Sequence, residues 1–567
     1  MSDVEAIKRA SGHLRGTIAE ALIAPGSHLE APDEALLKFH GSYQQDDRDL
    51  RRARRETGEE KAYAFMVRSR IPGGALTAEQ YLAHDALADA YGNGTLRLTT
   101  RQSIQIHGVL KGDLKPTIRA INDALLSTLA ACGDVNRNVM ACPAPVGDAA
   151  HARVQDVARA IAMHLAPRSG AYHEIWLDGQ KLSPDERAAE VEPVYGATYL
   201  PRKFKIGVAY PGDNCIDVFT QDIGLVAVIE GDDLIGFTVA SGGGLGSTHG
   251  KAETYPRLAT PLCFVSPEDV LEVAEAILTV QRDFGDRTNR KHARMKYVVE
   301  ERGIAWFRAR VEDRIGRRLA EPRPIRFHDA DDHLGWHESG DGTFYLGVLV
   351  ENGRVVDRVA SLLRSALREV AERFAPAFRI TAQQNVLLAG IAPDARANVE
   401  ALFRRYGVPI DAAALGVGRR SMACPALPTC GQAVAEAERA LPPLLAAIEA
   451  ELRELDLDGD RLSVRMTGCP NGCARPRLGD VGIVGRSLGL YDIYLGGDVQ
   501  NTRMNVLYAK GVALAAIVPA LRAVFAAWKR GRLEGEPLGD FVHRTGLSPE
   551  VSASTPGRFA AGVRRCV

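Results

Sequence analysis

The sequence predicts an α+β protein made of two related halves, with mixed sheets flanked by helices. Its 567 residues exceed what one hydrophobic core holds, so about three or four domains are expected. Helix-like and strand-like periodicities follow one another along the chain. A repeat at one fixed offset indicates that the two halves are related by pseudo-twofold symmetry.

The repeat consists of two pairs of segments that share an offset of 282 positions. Residues 97–108 match residues 379–390, and Met-Ala-Cys-Pro-Ala occurs at both 140–144 and 422–426. Chance rarely places two motifs at one offset, so we interpret the chain as an internal duplication.

The first copy of the repeat carries a polar and cationic pattern that the second copy has lost. Polar residues occupy every odd position from 97 to 107, so on a strand they share one face, and apolar residues point to the core. Arg101 corresponds to Gln383, and Gln105 corresponds to Leu387. One half has therefore kept a cationic strand.

Periodicity also predicts individual elements. Helices are predicted at 268–281 and 434–452, and strands at 64–70, 95–107, 202–209, 343–350, 378–388 and 461–466. The apolar stretch 507–528 is interrupted by Lys510, Pro519 and Arg522, so we interpret it as a helix of a soluble protein rather than a membrane span. The N-terminal residues up to about position 61 are predicted to pack as an arm.

Four cysteines in the last quarter of the chain form the strongest chemical signal. Cys424 and Cys430 are spaced C-x5-C, and Cys469 and Cys473 are spaced C-x3-C, among Pro, Gly and Asn residues. Four thiolates are what one cubane iron–sulfur cluster needs. A zinc site and two disulfides remain alternatives, although zinc sites favour C-x2-C pairs and no secretory context for disulfides is visible.

The remaining cysteines have no mutual spacing that suggests a site. We interpret most of them as small buried hydrophobic residues. They are Cys132, Cys142, Cys215, Cys263 and Cys566. The first repeat keeps Cys142 at the position of Cys424, but it has Asp148 at the position of Cys430, so only the second half has kept the ligand pair.

The charge balance argues against large charged partners. Lys and Arg number 70 and Asp and Glu number 71, so the net charge of −1 gives no reason to expect binding to nucleic acid or to a membrane. The N-terminus lacks the pattern of a signal peptide. We therefore expect a cytoplasmic protein.

Cationic side chains recur at strand-like spacing in the first half. Arg68 and Arg70 are two residues apart, as are Lys203 and Lys205, and such pairs share one face of a strand. Arg137 lies just before the first Met-Ala-Cys-Pro-Ala segment. A solvated strand edge would explain any single pair, but their repetition favours a pocket for a polyanion.

Glycine patterns give weaker signals. Residues 241–249 form a glycine-rich loop that could present backbone N–H groups to an anion, although an ordinary flexible loop is a nearly equal alternative. We find no G-x-G-x-x-G fingerprint and no P-loop in the sequence, so nicotinamide binding is expected to belong to another protein.

Seven motifs together resemble one family over nearly the whole chain. The family is that of the sulfite and nitrite reductase hemoproteins, which carry siroheme and a [4Fe–4S] cluster, and the resemblance is greatest to its bacterial assimilatory sulfite reductases. The motifs are His-Gly-Ser-Tyr-Gln-Gln-Asp-Asp-Arg-Asp, Arg-Leu-Thr-Thr-Arg-Gln, Asn-Arg-Asn-Val, Tyr-Leu-Pro-Arg-Lys-Phe-Lys, the glycine loop, Ser-Met-Ala-Cys and the highly specific Thr-Gly-Cys-Pro-Asn-Gly-Cys.

The resemblance implies roles for particular residues. The cluster would be held by Cys424, Cys430, Cys469 and Cys473, and Cys473 would also be the proximal ligand of the siroheme iron. The oxyanion would bind on the distal face between Arg68, Arg137, Lys203 and Lys205. The macrocycle would be bound by Arg97, Thr99, Arg101, Gln105, Arg202, Gly243, Gly244 and Arg294, the last at a position where the family often has lysine.

The resemblance also implies an architecture and an activity. It implies a duplicated siroheme reductase fold with three domains around a central cofactor. Domain limits are expected at 1–60 for the arm, 61–130 with 335–412 for paired ferredoxin-reductase-like half-domains, 131–330 for the first siroheme-binding domain and 413–567 for the second siroheme and [4Fe–4S] domain.

The implied reaction is the six-electron reduction of sulfite to sulfide for cysteine biosynthesis, with electrons from a separate NADPH-dependent flavoprotein. Three alternatives remain: reduction of nitrite to ammonia, a ferredoxin-dependent sulfite reductase, and a cluster protein that only relays electrons. A relay has no use for cations that converge on an open axial site.

Overall fold

Four five-stranded sheets form the framework of the computed structural model, which describes residues 2–172, 176–177, 180–181 and 192–547. Two of these sheets are fully antiparallel, and two combine parallel and antiparallel strands. Cys566 lies outside the described residues.

The two antiparallel sheets have matching strand orders, and each borrows one strand from the other half. The first has the order β1-β2-β5-β4-β17, and the second has the order β15-β16-β21-β20-β3. The strands of the first are β1 Ser42–Asp46, β2 Tyr63–Arg68, β4 Leu96–Leu98, β5 Ile104–Val109 and β17 Arg354–Val355. The strands of the second are β15 Gly335–Glu338, β16 Phe344–Val348, β20 Ala377–Ile380, β21 Val386–Ile391 and β3 Ala75–Leu76.

The two mixed sheets also repeat each other. Each runs from a two-residue edge strand through two parallel neighbours to two antiparallel strands, in the orders β6-β9-β11-β12-β13 and β22-β23-β24-β25-β26. The first contains β6 Met140–Ala141, β9 Ile206–Ala209, β11 Ile223–Glu230, β12 Asp233–Ser241 and β13 Thr260–Val265. The second contains β22 Met422–Ala423, β23 Val464–Thr467, β24 Val481–Ser487, β25 Leu490–Leu495 and β26 Val506–Ala513. The predicted duplication is therefore confirmed.

Short two-stranded ribbons and helices complete the described fold. The ribbons pair β7 Trp176–Leu177 with β8 Gln180–Lys181, β10 Gly212–Asp213 with β14 Phe327–Asp329, and β18 Asp357–Arg358 with β19 Ser361–Leu362. The helices are α1 Asp3–Ala10, α2 Ile18–Ile23, α3 Ala31–Leu37, α4 Arg51–Glu56, α5 Ala78–Ala90, α6 Leu114–Asp123, α7 Ala149–His164, α8 Val270–Phe284, α9 Met295–Arg302, α10 Ile304–Ile315, α11 Leu363–Phe374, α12 Arg396–Arg405, α13 Leu441–Glu454, α14 Ile517–Gly531 and α15 Leu538–Thr545.

Three large apolar cores hold these sheets and helices. One lies around the first mixed sheet, one is shared by the two antiparallel sheets, and one lies around the second mixed sheet. The N-terminal arm packs into the first core through Leu14, Leu36 and Phe39, all nearly inaccessible to solvent. The domain limits given above stay a prediction.

Some predicted elements differ from the observed ones. Residues 95–107 form a hairpin rather than one strand, because Gln102 has a positive φ of 52° and the Thr99 N–H donates to the Ser103 carbonyl at 2.9 Å. Residues 378–388 turn in the same way between β20 and β21. The stretch 507–528 divides into β26 and α14, so its prediction as one helix is wrong. None of the helices described is long and apolar enough to cross a membrane.

Candidate active site

The four clustered cysteines lie on two loops that leave neighbouring strands. Cys424 follows β22, and Cys469 and Cys473 follow β23, which pairs in parallel with β22. Since adjacent parallel strands end at the same edge of a sheet, the two loops meet there. Cys424 and Cys469 are buried, Cys430 is half-buried and Cys473 is exposed.

Amide groups of this loop region point at the sulfur atoms. The Gly468 N–H donates to Cys424 Sγ at 3.3 Å, and the Asn471 side-chain amide donates to Cys469 Sγ at 3.5 Å. Burial, and then the neighbouring thiols, raise the pKa of Cys424 and Cys430 and raise the pKa of Cys469 to about 12. Buried thiolates that raise one another's pKa need a bound cation to remain charged.

The state of the four cysteines fits a cluster better than the two alternatives. All four are free thiols rather than disulfide partners. Among the described residues, the set whose ligand atoms all lie within 4.8 Å of one another does not include these four cysteines. A cubane distributes four thiolates over four irons, so it does not require all four to meet at one ion.

Two lysines form the centre of a cationic pocket. Lys203 and Lys205 precede β9 on either side of Phe204, which is fully buried, as expected for an alternating segment. Neither ammonium group makes a hydrogen bond or ion pair with any residue that the structure describes. Burial and neighbouring cations, chiefly Arg202 for Lys203 and Lys203 for Lys205, hold the pKa of both lysines well below its usual range.

Cys473 lies close enough to this pocket to influence it. Its thiol opposes the lowering of the pKa of both lysines, and it acts in the same direction on the pKa of buried Arg97. The Thr100 hydroxyl, next to Arg101, donates to the Cys473 carbonyl at 3.0 Å, so the loop of this exposed cysteine contacts the hairpin turn of the first half. The structure brings together the two features that the sequence shows far apart.

Two arginines of the pocket are held in place but keep a buried donor without an acceptor. Arg101, in the hairpin turn, donates from Nη1 to Gln221 at 2.8 Å, and Arg294 donates from Nη2 to Asp222 at 2.9 Å. The Nε of each is buried without a hydrogen-bond partner. These two N–H groups are therefore available to donate to an anionic ligand.

Two further arginines converge on Tyr43 of the N-terminal arm. Arg68 donates from Nη1 to Cys132 Sγ at 3.0 Å and lies 6.0 Å from the centre of the Tyr43 ring. Arg137 donates from Nη2 to the Tyr43 hydroxyl at 3.5 Å. Gln105 is the cross-strand partner of Arg68. Arg70 is not part of this group, because its buried guanidinium donates to the Ala162 carbonyl.

Arg97, Thr99 and Arg202 make contacts within the protein. Arg97 forms a buried ion pair with Glu438 and donates to the Ala423 carbonyl at 2.9 Å. The Thr99 hydroxyl accepts from the Arg101 N–H at 3.3 Å. Arg202 lies 4.0 Å from the carboxylate of Asp134. Their roles toward a macrocycle stay predictions. Both terminal nitrogens of Arg97 already donate hydrogen bonds within the protein.

The glycine loop differs from the expectation that it offers N–H groups to an anion. The N–H groups of Gly243 and Gly244 donate to the carbonyls of Gln221 and Arg257. A Cβ at Gly243 would lie 2.2 Å from the Phe219 carbonyl oxygen, so close packing requires glycine there. Further along, the Ser247 N–H donates to the Pro470 carbonyl at 2.9 Å, so the loop supports the segment between Cys469 and Cys473.

Three supporting residues were not found from the sequence. Arg48 of the arm donates to the Cys430 carbonyl at 3.3 Å, and the Thr100 hydroxyl donates to the Cys473 carbonyl at 3.0 Å. Arg475 donates to the Thr100 carbonyl at 3.2 Å and pairs with Asp217. Arg48 and Thr100 lie within two of the motifs that carry the family resemblance. Membership of those motifs was the sequence signal that could have identified them as supporting residues.

Family models match most of the chain. A model described as the nitrite and sulphite reductase 4Fe-4S domain matches residues 156–319 and 418–550, and one described as the nitrite/sulfite reductase ferredoxin-like half domain matches residues 57–124 and 337–406. The chain belongs to the nitrite and sulfite reductase family. Each model matches twice, in agreement with the repeated sheets.

Full-length members of the family are similar in sequence. A protein of Myxococcus xanthus named sulfite reductase [NADPH] hemoprotein beta-component is 50% identical over 550 residues, 97% of each chain. Proteins of the same name from Geobacillus thermodenitrificans and Staphylococcus saprophyticus are 48% and 47% identical, over 98% and 97% of this chain and 97% of each relative.

A solved structure supports the fold. The Mycobacterium tuberculosis NirA protein superimposes with a TM-score of 0.76 and covers 95% of both chains, at 23% identity. The siroheme reductase fold is therefore confirmed for this member of the family.

Proposed function

We propose that the protein is the hemoprotein component of an NADPH-dependent assimilatory sulfite reductase, which reduces sulfite to sulfide for cysteine biosynthesis. The observation that carries the proposal is the contact between the Cys473 loop and the hairpin turn that carries Arg101, made by the Thr100 hydroxyl and the Cys473 carbonyl at 3.0 Å. Cys473 also opposes the lowering of the pKa of Lys203 and Lys205. The names of the full-length relatives support the same activity. A protein that only relays electrons would not need these cations beside its metal ligands.

The residues fit both cofactors that the family implies. The four thiols with amide donors suit a [4Fe–4S] cluster. Siroheme is a polycarboxylate, and it would neutralise the half-buried cations, such as Arg101 and Lys205, that repel one another. The unpartnered Nε groups of Arg101 and Arg294 would donate to its carboxylates. When bound, siroheme and the cluster supply the iron and the electron transfer.

The side chains around the substrate have separable tasks. Lys203 and Lys205 would hold the oxyanion by charge, and their lowered pKa values make them proton donors suited to the loss of oxygen as water. Arg68 and Arg137, each half-buried beside Tyr43, would orient the remaining oxygens. Cys473, exposed at the edge of the pocket, would be the ligand that joins the two metal centres.

Sulfite is favoured over nitrite because of its charge. Two ammonium groups in one pocket suit a doubly charged anion better than a singly charged one. Reduction of nitrite to ammonia remains the second candidate function, since the family includes both activities.

The electron donor is proposed to be a separate NADPH-dependent flavoprotein, as the names of the relatives indicate. The N-terminal arm is packed into the first core and contacts the loop of Cys430 through Arg48, so removing it would also disturb the candidate site. The donor is therefore tested with the full chain. Reduced viologen should support sulfite reduction by the protein alone, while NADPH should do so only after the flavoprotein is added.

Turnover with NADPH alone, or with ferredoxin only, would contradict the choice of donor and leave the active site unaffected. We place the protein in the cytoplasm, where reducing conditions keep cluster thiolates intact.

The cofactor content is tested by the absorption spectrum together with iron and acid-labile sulfide counts. We expect siroheme bands and about four cluster irons with as many sulfides per chain. Zinc without iron, in protein made anaerobically with ample iron, would overturn the cluster assignment.

A further inference from the structure

A second set of metal-binding side chains lies outside the cluster cysteines. Cys142, Asp213, Cys215 and His333 each offer one ligand atom, and these atoms all lie within 4.8 Å of one another. Cys142 Sγ lies 3.0 Å from Asp213 Oδ2 and 4.0 Å from His333 Nε2, and the carboxylate and imidazole atoms are 3.0 Å apart. We propose that these four residues bind one zinc ion in a closed, structural site.

The distances and the ligand types both suit zinc. A tetrahedral ion with bonds of about 2.3 Å to sulfur and about 2.0 Å to nitrogen or oxygen holds its ligand atoms about 3 to 4 Å apart. Two thiolates and an imidazole select a borderline-soft ion such as zinc, whereas magnesium and calcium require oxygen ligands.

The surroundings match those of a structural metal site. Cys142 and Cys215 are each 2% exposed within an apolar cluster, which protects the thiolates from solvent. The side chains of Asp213 and His333 are 19% and 24% exposed, so an ion can enter from their side. His151 hydrogen-bonds Asp148 at 2.7 Å and also contacts the Cys142 thiol, which gives this ligand an outer support.

The duplication gives an independent argument. Cys142 matches Cys424 at the repeat offset, and both follow a two-residue edge strand. The Cys142 N–H donates to the Val208 carbonyl at 3.2 Å, and the Cys424 N–H donates to the Met466 carbonyl at the same distance. Cys142 therefore occupies the position of a metal ligand in the other half. The argument from the duplication rests on the proposed role of Cys424 as a cluster ligand. The argument from the distances among Cys142, Asp213 and His333 does not.

A zinc ion here would connect two halves of the molecule. Cys142 follows β6 of the first mixed sheet, and Asp213 and Cys215 lie at the end of β10 and just after it, whereas His333 precedes β15 of the second antiparallel sheet. His333 is also anchored by its neighbour Asp332, which accepts a hydrogen bond from Thr381 at 2.6 Å. The ion would hold the segment around His333, which leads into β15, against the first half.

The test measures metal content and zinc coordination in the holoprotein. Protein made with ample iron and zinc is gel-filtered, analysed for both metals, and examined by X-ray absorption at the zinc edge, which iron does not obscure. We expect about one zinc per chain, bound by about two sulfurs and two nitrogen or oxygen atoms. Cys215→Ser and His333→Gln should each lower the zinc content at least about tenfold while iron and the siroheme spectrum stay unchanged.

Cys263→Ser is the matched control, because Cys263 is buried on β13 and belongs to neither set. It should keep its zinc. The proposal is overturned if the wild-type protein holds no zinc even after addition of Zn²⁺, or if its zinc has four sulfur ligands and replaces cluster iron. If a variant fails to fold, the coordination measured in the wild-type protein decides alone.

Discussion

The hydroxyl of Thr100 donates a hydrogen bond to the carbonyl oxygen of Cys473 at 3.0 Å, across 373 positions of the chain. Thr100 lies in the hairpin turn between β4 and β5, beside Arg101. The turn that carries a cation of the pocket therefore also positions the loop of the exposed cysteine.

This contact can be tested with a pair of variants. Thr100→Val should remove the bond and cost about 1 kcal/mol, while Thr100→Ser should keep it. We expect Thr100→Val to lower viologen-driven sulfite reduction several-fold and to change the electron paramagnetic resonance spectrum, whereas Thr100→Ser should resemble the wild type. Equal behaviour of the two variants would show that the bond does not position Cys473.

The second prediction concerns the ligand that joins the metal centres. Cys473→Ser should abolish sulfite reduction even if some siroheme remains bound, because the shared thiolate is lost. Cys263→Ser, buried in the first half, is the control and should stay active. The checks are viologen-driven turnover and iron content. An active Cys473→Ser protein with full iron would contradict the proposed ligation.

The third prediction separates the two substrates of the family. Lys205→Asn removes one of the two unpaired ammonium groups, so it should lower sulfite turnover far more than nitrite turnover. Both rates are measured with the same viologen donor on the same preparation. Equal losses on the two substrates would count against charge as the basis of discrimination.

The fourth prediction follows from repulsion inside the pocket when siroheme is absent. Burial, and then neighbouring cations, lower the pKa of Lys203 and Lys205 from 10.5. Between the lowered pKa and 10.5 the unfolded chain binds more protons than the folded one, so stability rises with pH through that window. Added salt should stabilise the same protein by screening the repulsion.

The measurement is the midpoint of thermal unfolding of siroheme-free protein against salt and pH. Protein loaded with siroheme is the control. Its unfolding midpoint should change less with salt and pH, because the siroheme carboxylates neutralise the cations. The prediction fails if the two forms respond equally.

Much of the fold followed from local patterns. The repeated segments predicted two related halves, and the two pairs of sheets with matching strand orders confirm this. The hairpin at 99–103 was missed because its polar alternation continues through the turn, so periodicity alone cannot show where the chain reverses.

The site was predictable only in part, for a physical reason. The cysteine spacing and the paired lysines are local signals, so the sequence alone could nominate these residues. The pairing of Arg97 with Glu438 and the meeting of Cys142 with His333 depend on packing between distant segments, and no spacing in the sequence reports such contacts.

The account's central claim is that sulfite is reduced to sulfide in the pocket shared by the lysines and Cys473. The most direct test is the anaerobic ratio of reduced methyl viologen consumed to sulfide formed by the purified protein. We predict about six viologen radicals per sulfide, because the conversion takes six electrons and the cofactors carry them without release of partly reduced products. Consumption of viologen with nitrite but no sulfide from sulfite would contradict the account.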